Sequence, residues 1–521
     1  MYRRRKGAQL SGGGAFDLLI VGGGINGAGI ARDAAGRGLR VLLVEQAGLA
    51  HYTSSASTKL VHGGLRYLEY FHFRLVREAL LERERLLAIA PHLVHRMRFV
   101  LPYEPQLRPA WMVRLGLFFY DHLVRKSTLE RSSNVRFTTS AFGRPMRSTL
   151  RRGFAYSDCT VDDSRLVVLN AKDAAERGAA VWVGHRVVRA VRASGRWQVD
   201  IENQASQQTM TVSARAIANA AGPWVAEVLT RRLAGSSEQA VRLIKGSHIV
   251  VRRLYDGDHA YVLQHPDRRI VFVIPYQNDF TLIGTTDVPW AGAPGPMAIT
   301  PAEVDYLCRT VNAYFQRSIA PADVVWSYSG VRPLCDDAES EASAVTRDYV
   351  LDVEAPPGDA PVLSIFGGKI TTYRRLAEHA LEKLEPHLGP MSAPWTGNTP
   401  LPGGDIPGGD VEAFVTEVRL RWPFLDAPQA RRLARAYGTR MSRLLAGVNS
   451  RQDMGEDFGG GLTRVEVDFL VREEWAASAE DLYWRHSKAG LYASAADQRR
   501  LAAYLQSADH GTGHVRTTGT G

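Results

Sequence analysis

Only three cysteines occur in the 521 residues, Cys159, Cys308 and Cys335, far apart and without C-x-x-C or metal-ligand spacing. That excludes a disulfide framework and gives no support to a metal site, and it fits a reducing compartment. No stretch supplies the roughly 20 apolar residues of a membrane span; the best candidate, Trp111 to Tyr120, is interrupted by Arg114. An export signal is also missing, because Arg3, Arg4, Arg5 and Lys6 lead into a glycine-rich stretch rather than an apolar core. The expected location is therefore cytoplasmic, with any membrane contact peripheral. There is no internal repeat and no block of like charge. The net charge, 64 − 54 = +10, is spread along the chain, so nucleic acid is not expected, while a phosphorylated small molecule and an anionic membrane surface suit it equally. With 45% hydrophobic and 23% charged residues the composition is that of a soluble globular protein of two or three domains.

What is present is organised around Phe16 to Glu45. The apolar run Leu18 to Val21 reads as a buried parallel strand and passes directly into Gly22, Gly24 and Gly27 at G-x-G-x-x-G spacing, then into helix-forming residues to about Arg37. A second apolar run, Val41 to Val44, ends in Glu45, 21 positions after Gly24, where a carboxylate can accept from ribose hydroxyls. Gly22 permits the turn, Gly24 lets the backbone approach a pyrophosphate, and Gly27 lets the helix pack close to the strand. The phosphates are expected on the helix N-terminus, where unpaired N–H groups favour anions. Glu45 suits NAD as well as FAD.

Residues 1 to 14 read as a basic, glycine-rich arm and 508 to 521 as a flexible tail. The loop after the nucleotide-binding unit offers Thr53, Ser54, Ser55, His62, Gly63 and Gly64, small or hydroxyl residues suited to lie against a flat ligand. A helix is expected over about 73 to 90, stopped by Pro91, with its charges on a solvated face. Around 108 to 125, Trp111, Met112, Leu115, Leu117, Phe118, Phe119 and Tyr120 stand among Arg108, Arg114 and Arg125. The segment reads first as buried core, although aromatic residues beside arginines are also what an interfacial patch needs. Mixed strands and helices follow over 154 to 220, ending in Ala221 and Gly222 as a second close approach to a cofactor. Strand-like runs from Ile244 to Asp287 suggest an antiparallel wall of a substrate cavity. Gly367, Gly368, Lys369 and Thr371 precede the helical TTYRRLAEHALEKL, a further anion-friendly terminus. A Gly/Pro linker at 401 to 410 precedes helical patterns that run to about 507.

The motifs GGGINGAGIARDAAGRGL, TSSASTKLVHGGLRYLE, YSDCTVDDSRL, NAAGPW, RLIKGSHIVV, RIVFVIPY, IGTTD, YSGVRPLCDD and FGGKITTYRRLAEHALEKL occur in that order. Over roughly residues 16 to 507 the chain resembles the FAD-dependent, aerobic and quinone-linked glycerol-3-phosphate dehydrogenases. The resemblance implies an α/β fold: a Rossmann-like FAD-binding domain interleaved over 15 to 400 with a mixed-sheet substrate domain of the glycine oxidase/D-amino-acid oxidase kind, the latter mainly at about 75 to 150 and 240 to 345. A C-terminal all-helical domain over 411 to 507 completes it. It implies oxidation of sn-glycerol 3-phosphate to dihydroxyacetone phosphate with electrons passed to a membrane quinone. By position it implies Arg66, Tyr67, His248, Arg269, Arg332 and Lys369 as the substrate-site group. The chain departs from the family at the longer 1 to 14 arm, at His51 and Tyr52, and at its end. A homodimer stays open.

The residue types agree with that chemistry. Oxidising a secondary alcohol by hydride transfer needs a proton acceptor, for which His248 is suited, and positive charge at the developing alkoxide, for which Arg332 and Lys369 are suited. A phosphate needs guanidinium forks, as Arg66 and Arg269 provide, with Tyr67 beside them. Alternatives are an oxidase that uses oxygen, an amine oxidase of the same fold, a NAD-dependent dehydrogenase, and a non-catalytic FAD-bound redox sensor.

Overall fold

The computed structural model describes residues 15–106, 109–125, 127–265, 267, 269–335 and 348–507. The 1 to 14 arm, the 508 to 521 tail and Arg108 lie outside them. Leu18 and Ile20 point to one side of the strand Ala15–Val21, Leu19 and Val21 to the other, and all four are buried in two different cores. Burial on both faces is what a near-continuous apolar strand predicts for the middle of a parallel sheet. The strand pairs in parallel with Val41–Glu45 on one side and Thr209–Asn219 on the other. Ala180–Val183 and Val362–Gly367 extend the parallel array, and Tyr349–Glu354 closes one edge antiparallel. The helices Ile25–Gly36, Asp163–Glu176 and Tyr373–Leu388 contribute to the core on one face, and the ribbon His185–Ala193/Arg196–Asn203 contributes to that on the other.

The second sheet has ten strands and is antiparallel apart from the contact of Ala260–Gln264 with Val94–Pro102. Its longest pairing joins Val241–Arg252 to Val324–Cys335, with His248 opposite Tyr328 and Ile244 opposite Arg332. The strand Arg152–Val161 belongs to this sheet as well. Behind it lies the helix Pro301–Tyr314, which starts with a Thr300–Glu303 capping box and Pro301 in its first turn.

A third core is built by the helices Val411–Arg421, Ala427–Tyr437, Arg464–Glu474 and Ala495–Ser507. It is fixed to the rest by Arg165, which is fully buried and donates to Ala436 O at 3.0 Å and to Glu474. Trp484 stacks on Trp326 at 4.3 Å. The residues before it do not hang loose, since Leu401 is buried and its N–H donates to Ile89 O at 2.9 Å.

Two expectations are corrected. On the helix Phe73–Ile89 the charges do not all face solvent: Glu82 is buried against the Arg374 guanidinium at 2.7 Å, and Arg83 against Asp158 at 2.8 Å. Their partners are 292 and 75 residues away, so no local periodicity reveals them. The helix Ala110–His122 is not buried core. Leu117 and Tyr120 face inward, whereas Trp111, Met112, Leu115, Phe118 and Phe119 are exposed, together with Phe71. Helical spacing shows that a face is apolar and cannot say whether the protein covers it.

Candidate functional site

The parallel strands end together at Val21, Glu45, Asn219 and Gly367, and the cleft lies beyond their C-terminal ends, the usual ligand position for such sheets. It holds about 720 Å³, part of it open to solvent, and is lined among others by Gly22, Gly24, Glu45, Thr53, Ser54, Ala221 and Gly222. Gly22 has φ +108°, and a Cβ there would stand 2.5 Å from Ala220 O. At Gly27 a Cβ would stand 1.9 Å from Gly22 O, so that position serves packing. Gly24 differs: its Cβ would meet only Ser54 Oγ, at 3.2 Å. The protein around it is open on the side where a ligand must come close.

Glu45 is buried and accepts from the Gly23 N–H at 2.6 Å and the Ala47 N–H at 2.7 Å. Burial pushes its carboxyl above the ordinary range, against these backbone hydrogen bonds. Each oxygen keeps a lone pair, so it can still accept from a ribose. The helix N-terminus is partly used already, since the Ile25 N–H donates to Ser54 Oγ at 3.0 Å. No acidic residue stands in that first turn to cancel the dipole. Tyr52 packs edge-on against Trp224 at 4.6 Å, and with His51 it forms part of the cleft wall.

The other loop residues are placed as follows. Thr53 Oγ1 donates to Val331 O at 2.7 Å and ties the loop to the second sheet, while Ser55 Oγ donates to Tyr52 O at 3.2 Å within the loop. The His62 N–H donates to Thr371 Oγ1, and the Gly63 N–H to Tyr120 Oη at 2.8 Å. Gly64 takes φ +75° before the short turn Leu65–Tyr70. Gly367 and Gly368 take φ +78° and +103° in the bend that carries Lys369, with the Asn26 amide donating to Gly367 O at 3.2 Å.

The cationic residues form two groups, one at the Tyr67 ring and one at Asp287. Lys369 Nζ lies 4.1 Å above the centroid of the Tyr67 ring, which joins the bend at 367–371 to the turn that carries Arg66. Arg66 Nε is buried without a hydrogen-bond partner, an orphaned donor suited to an anion. Arg332 is not a lone charge: it pairs with Asp287 and donates to Thr285 Oγ1 at 2.9 Å. Arg269 reaches the same Asp287 through its backbone oxygen at 3.5 Å but is paired with Asp267 at 2.6 Å.

His248 is fully buried, stacked on Tyr328 at 4.7 Å, and shares a hydrogen between Nε2 and Thr58 Oγ1 at 3.0 Å. Burial, then Arg332 and Lys59, push its pKa well below the ordinary histidine value, so the imidazole is neutral. Thr58, Tyr328, Thr285 and Asp287 were not singled out from sequence, although all four lie inside the quoted motifs STKL, YSGVR and GTTD.

A family model described as FAD dependent oxidoreductase matches residues 17–374. The chain belongs to the FAD-dependent oxidoreductases. The residues fit the cofactor, because the open side at Gly24, the Glu45 acceptor and the uncompensated helix terminus meet in one cleft. Among relatives of this oxidoreductase are glycerol-3-phosphate dehydrogenase of Pseudomonas aeruginosa, 54% identical over 94% of this chain and 95% of its own, and aerobic glycerol-3-phosphate dehydrogenase of Escherichia coli, 48% identical over 94% and 97%. D-erythritol 1-phosphate dehydrogenase of Brucella abortus is 47% identical over 95% and 98%. The crystal structure of glycerol-3-phosphate dehydrogenase from Bacillus halodurans complexed with FAD superposes with a TM-score of 0.73 at 25% identity, covering 97% of this chain and 96% of that one. Glycine oxidase from Geobacillus kaustophilus shares the fold, with a TM-score of 0.53 at 19% identity, over 74% and 98%.

Proposed function

We propose that the protein oxidises the secondary hydroxyl of sn-glycerol 3-phosphate, giving dihydroxyacetone phosphate, and passes the electrons to a membrane quinone. What supports this reading is a buried neutral imidazole with Arg332 close enough to depress its pKa, together with Lys369 over the Tyr67 ring beside Arg66, whose Nε has no hydrogen-bond partner. Amine substrates would not call for so many cations. Bound FAD would supply the hydride acceptor.

Arg66, with its unpartnered Nε, is the first choice for the substrate phosphate, and Arg269 supports it only by sharing itself with Asp267. Arg332 stabilises the developing alkoxide while Asp287 and Thr285 hold its planar fork in place. Lys369, steadied over Tyr67 beside Arg66, adds positive charge for the phosphate or the substrate oxygen. His248 takes the hydroxyl proton. The substrate's own negative charge offsets the neighbouring cations that would otherwise oppose an imidazolium.

The exposed ridge of Phe71, Trp111, Phe118 and Phe119 fits a peripheral membrane partner, reached from the cytoplasmic side, where quinone is available. Phe73 and Phe119 meet edge-on at 5.6 Å and make the ridge continuous across two elements. Among the described residues no helix is long and apolar enough to cross a membrane. Arg114 is engaged with Ser132 at 2.8 Å, which leaves exposed Arg125 as the better candidate for lipid headgroups.

The D-erythritol 1-phosphate relative supports a second reading, a longer polyol phosphate as substrate. Steady-state oxidation of both phosphates and of glycerol, with a quinone analogue or with oxygen and peroxide detection, separates the readings. Sn-glycerol 3-phosphate with quinone is expected to give the highest kcat/KM.

A further inference from the structure

We propose that Thr58 relays the substrate's proton to His248. The inference rests on His248 being the proton acceptor and says how the proton arrives. His248 exposes no surface, and its ring is enclosed by Tyr328 on one face and by Gly284, where a Cβ would stand 2.1 Å from Cδ2. Among the described residues its sole polar contact is the Thr58 hydroxyl. A sealed imidazole cannot meet a substrate hydroxyl directly. Thr58 is partly exposed, and its hydroxyl makes no other hydrogen bond among the described residues. A hydroxyl carries one hydrogen and two lone pairs, so one that donates to Nε2 is still able to accept.

The neighbours of Thr58 hold it for this task from both sides. Lys59 adopts φ +58° and its Nζ is clamped by Asp163 at 2.8 and 2.9 Å and by Ser55 O at 2.9 Å. Ser57 Oγ donates to Asp163 Oδ2 at 2.7 Å, and Ser57 O accepts from Tyr328 Oη at 2.8 Å. The ring that stacks on His248 is thus tied to the residue next to Thr58, and imidazole and hydroxyl are fixed as a unit. The proton balance is complete. With the neutral imidazole carrying its hydrogen on Nδ1, Thr58 donates to Nε2; the substrate O–H breaks as a new O–H forms on Thr58, the original Thr58 proton moves to Nε2, and the imidazole becomes imidazolium while the carbinol hydrogen leaves as hydride to the cofactor.

The test uses holoenzyme with Thr58→Val, Thr58→Ser, His248→Gln and the Thr58→Val/His248→Gln double variant, each checked for flavin content. Thr58→Val is expected to lower kcat on the order of 10²-fold with KM little changed, and Thr58→Ser to stay within about threefold of wild type. In the His248→Gln background, Thr58→Val should cost nothing further. The wild-type solvent isotope effect should depend on deuterium fraction with the curvature of two transferred protons, and this curvature should vanish in Thr58→Val. Near-normal kcat in His248→Gln would overturn the base assignment and the relay with it. A crippled His248→Gln beside a near-normal Thr58→Val would overturn the relay alone, as would Thr58→Ser failing as badly as Thr58→Val.

Discussion

Two glycines of one fingerprint fail in different ways. At Gly24 an added methyl meets only a serine hydroxyl at 3.2 Å, whereas at Gly27 it meets a backbone oxygen at 1.9 Å. Gly24→Val is expected to fold and to purify with little flavin, its side chain standing where the cofactor must come close. Gly27→Ala is expected to lose about 1–3 kcal/mol of stability as helix and turn are forced apart. Absorbance of bound flavin and thermal melting of the two variants check the contrast. At the proposed reacting centre, Arg332→Lys keeps a charge but cannot hold Asp287 and Thr285 with a planar fork. It is expected to lose 10²–10³-fold in kcat, while Arg66→Ala should chiefly raise KM, as befits uniform phosphate binding. Steady-state kinetics separates the two. The pH response of His248 follows from its environment. Its pKa is depressed, so the neutral imidazole, the form proposed to take the proton, persists below the ordinary histidine range. The acid limb of kcat/KM near pH 6.5 that an unperturbed histidine would give should therefore be absent.

Among the elements, the C-terminal helices hang on a buried pair. Burial raises the Glu474 carboxyl, but Arg165 and His486 outweigh it and hold the value at about 2. A folded pKa below the unfolded value of about 4.3 means that the stabilisation is complete above that pH and is lost as pH falls toward 2. Glu474→Gln leaves the Arg165 guanidinium buried without its counter-charge and is expected to cost about 3–5 kcal/mol. Urea unfolding at pH 7 and at pH 3 should show the difference between wild type and variant narrowing in acid. The same element scale separates what was legible in the sequence from what was not. Gly22, Gly24, Gly27 and Glu45 could be read because strand, turn and helix are contiguous, and so could the strand runs of the second sheet. The burial of Glu82 and Arg83 and the Thr58–His248 contact could not, because their partners are 292, 75 and 190 residues away. The helix Ala110–His122 was misplaced for a different reason: its apolar face is real but the protein leaves it uncovered.

For the whole molecule, the nucleotide-binding sheet supplies the cleft, the second sheet supplies His248 and Arg332, and the helical region braces the latter through Trp484 on Trp326. The aromatic ridge runs from Phe71, which caps the turn carrying Arg66 and Tyr67, through Phe73 to the helix Ala110–His122. If it is the membrane face, Trp111→Ser/Phe118→Ser should reduce co-sedimentation with anionic vesicles while leaving flavin content and dye-coupled activity intact. Unchanged sedimentation would place the contact elsewhere. The most direct measurement of the central claim is anaerobic mixing of the purified flavoprotein with sn-glycerol 3-phosphate while the oxidised flavin absorbance is followed. Complete bleaching with this phosphate, little with glycerol or sarcosine, and a rate that falls steeply in Arg332→Lys is the expected result. Absence of bleaching, or equal bleaching by the unphosphorylated compounds, would contradict it.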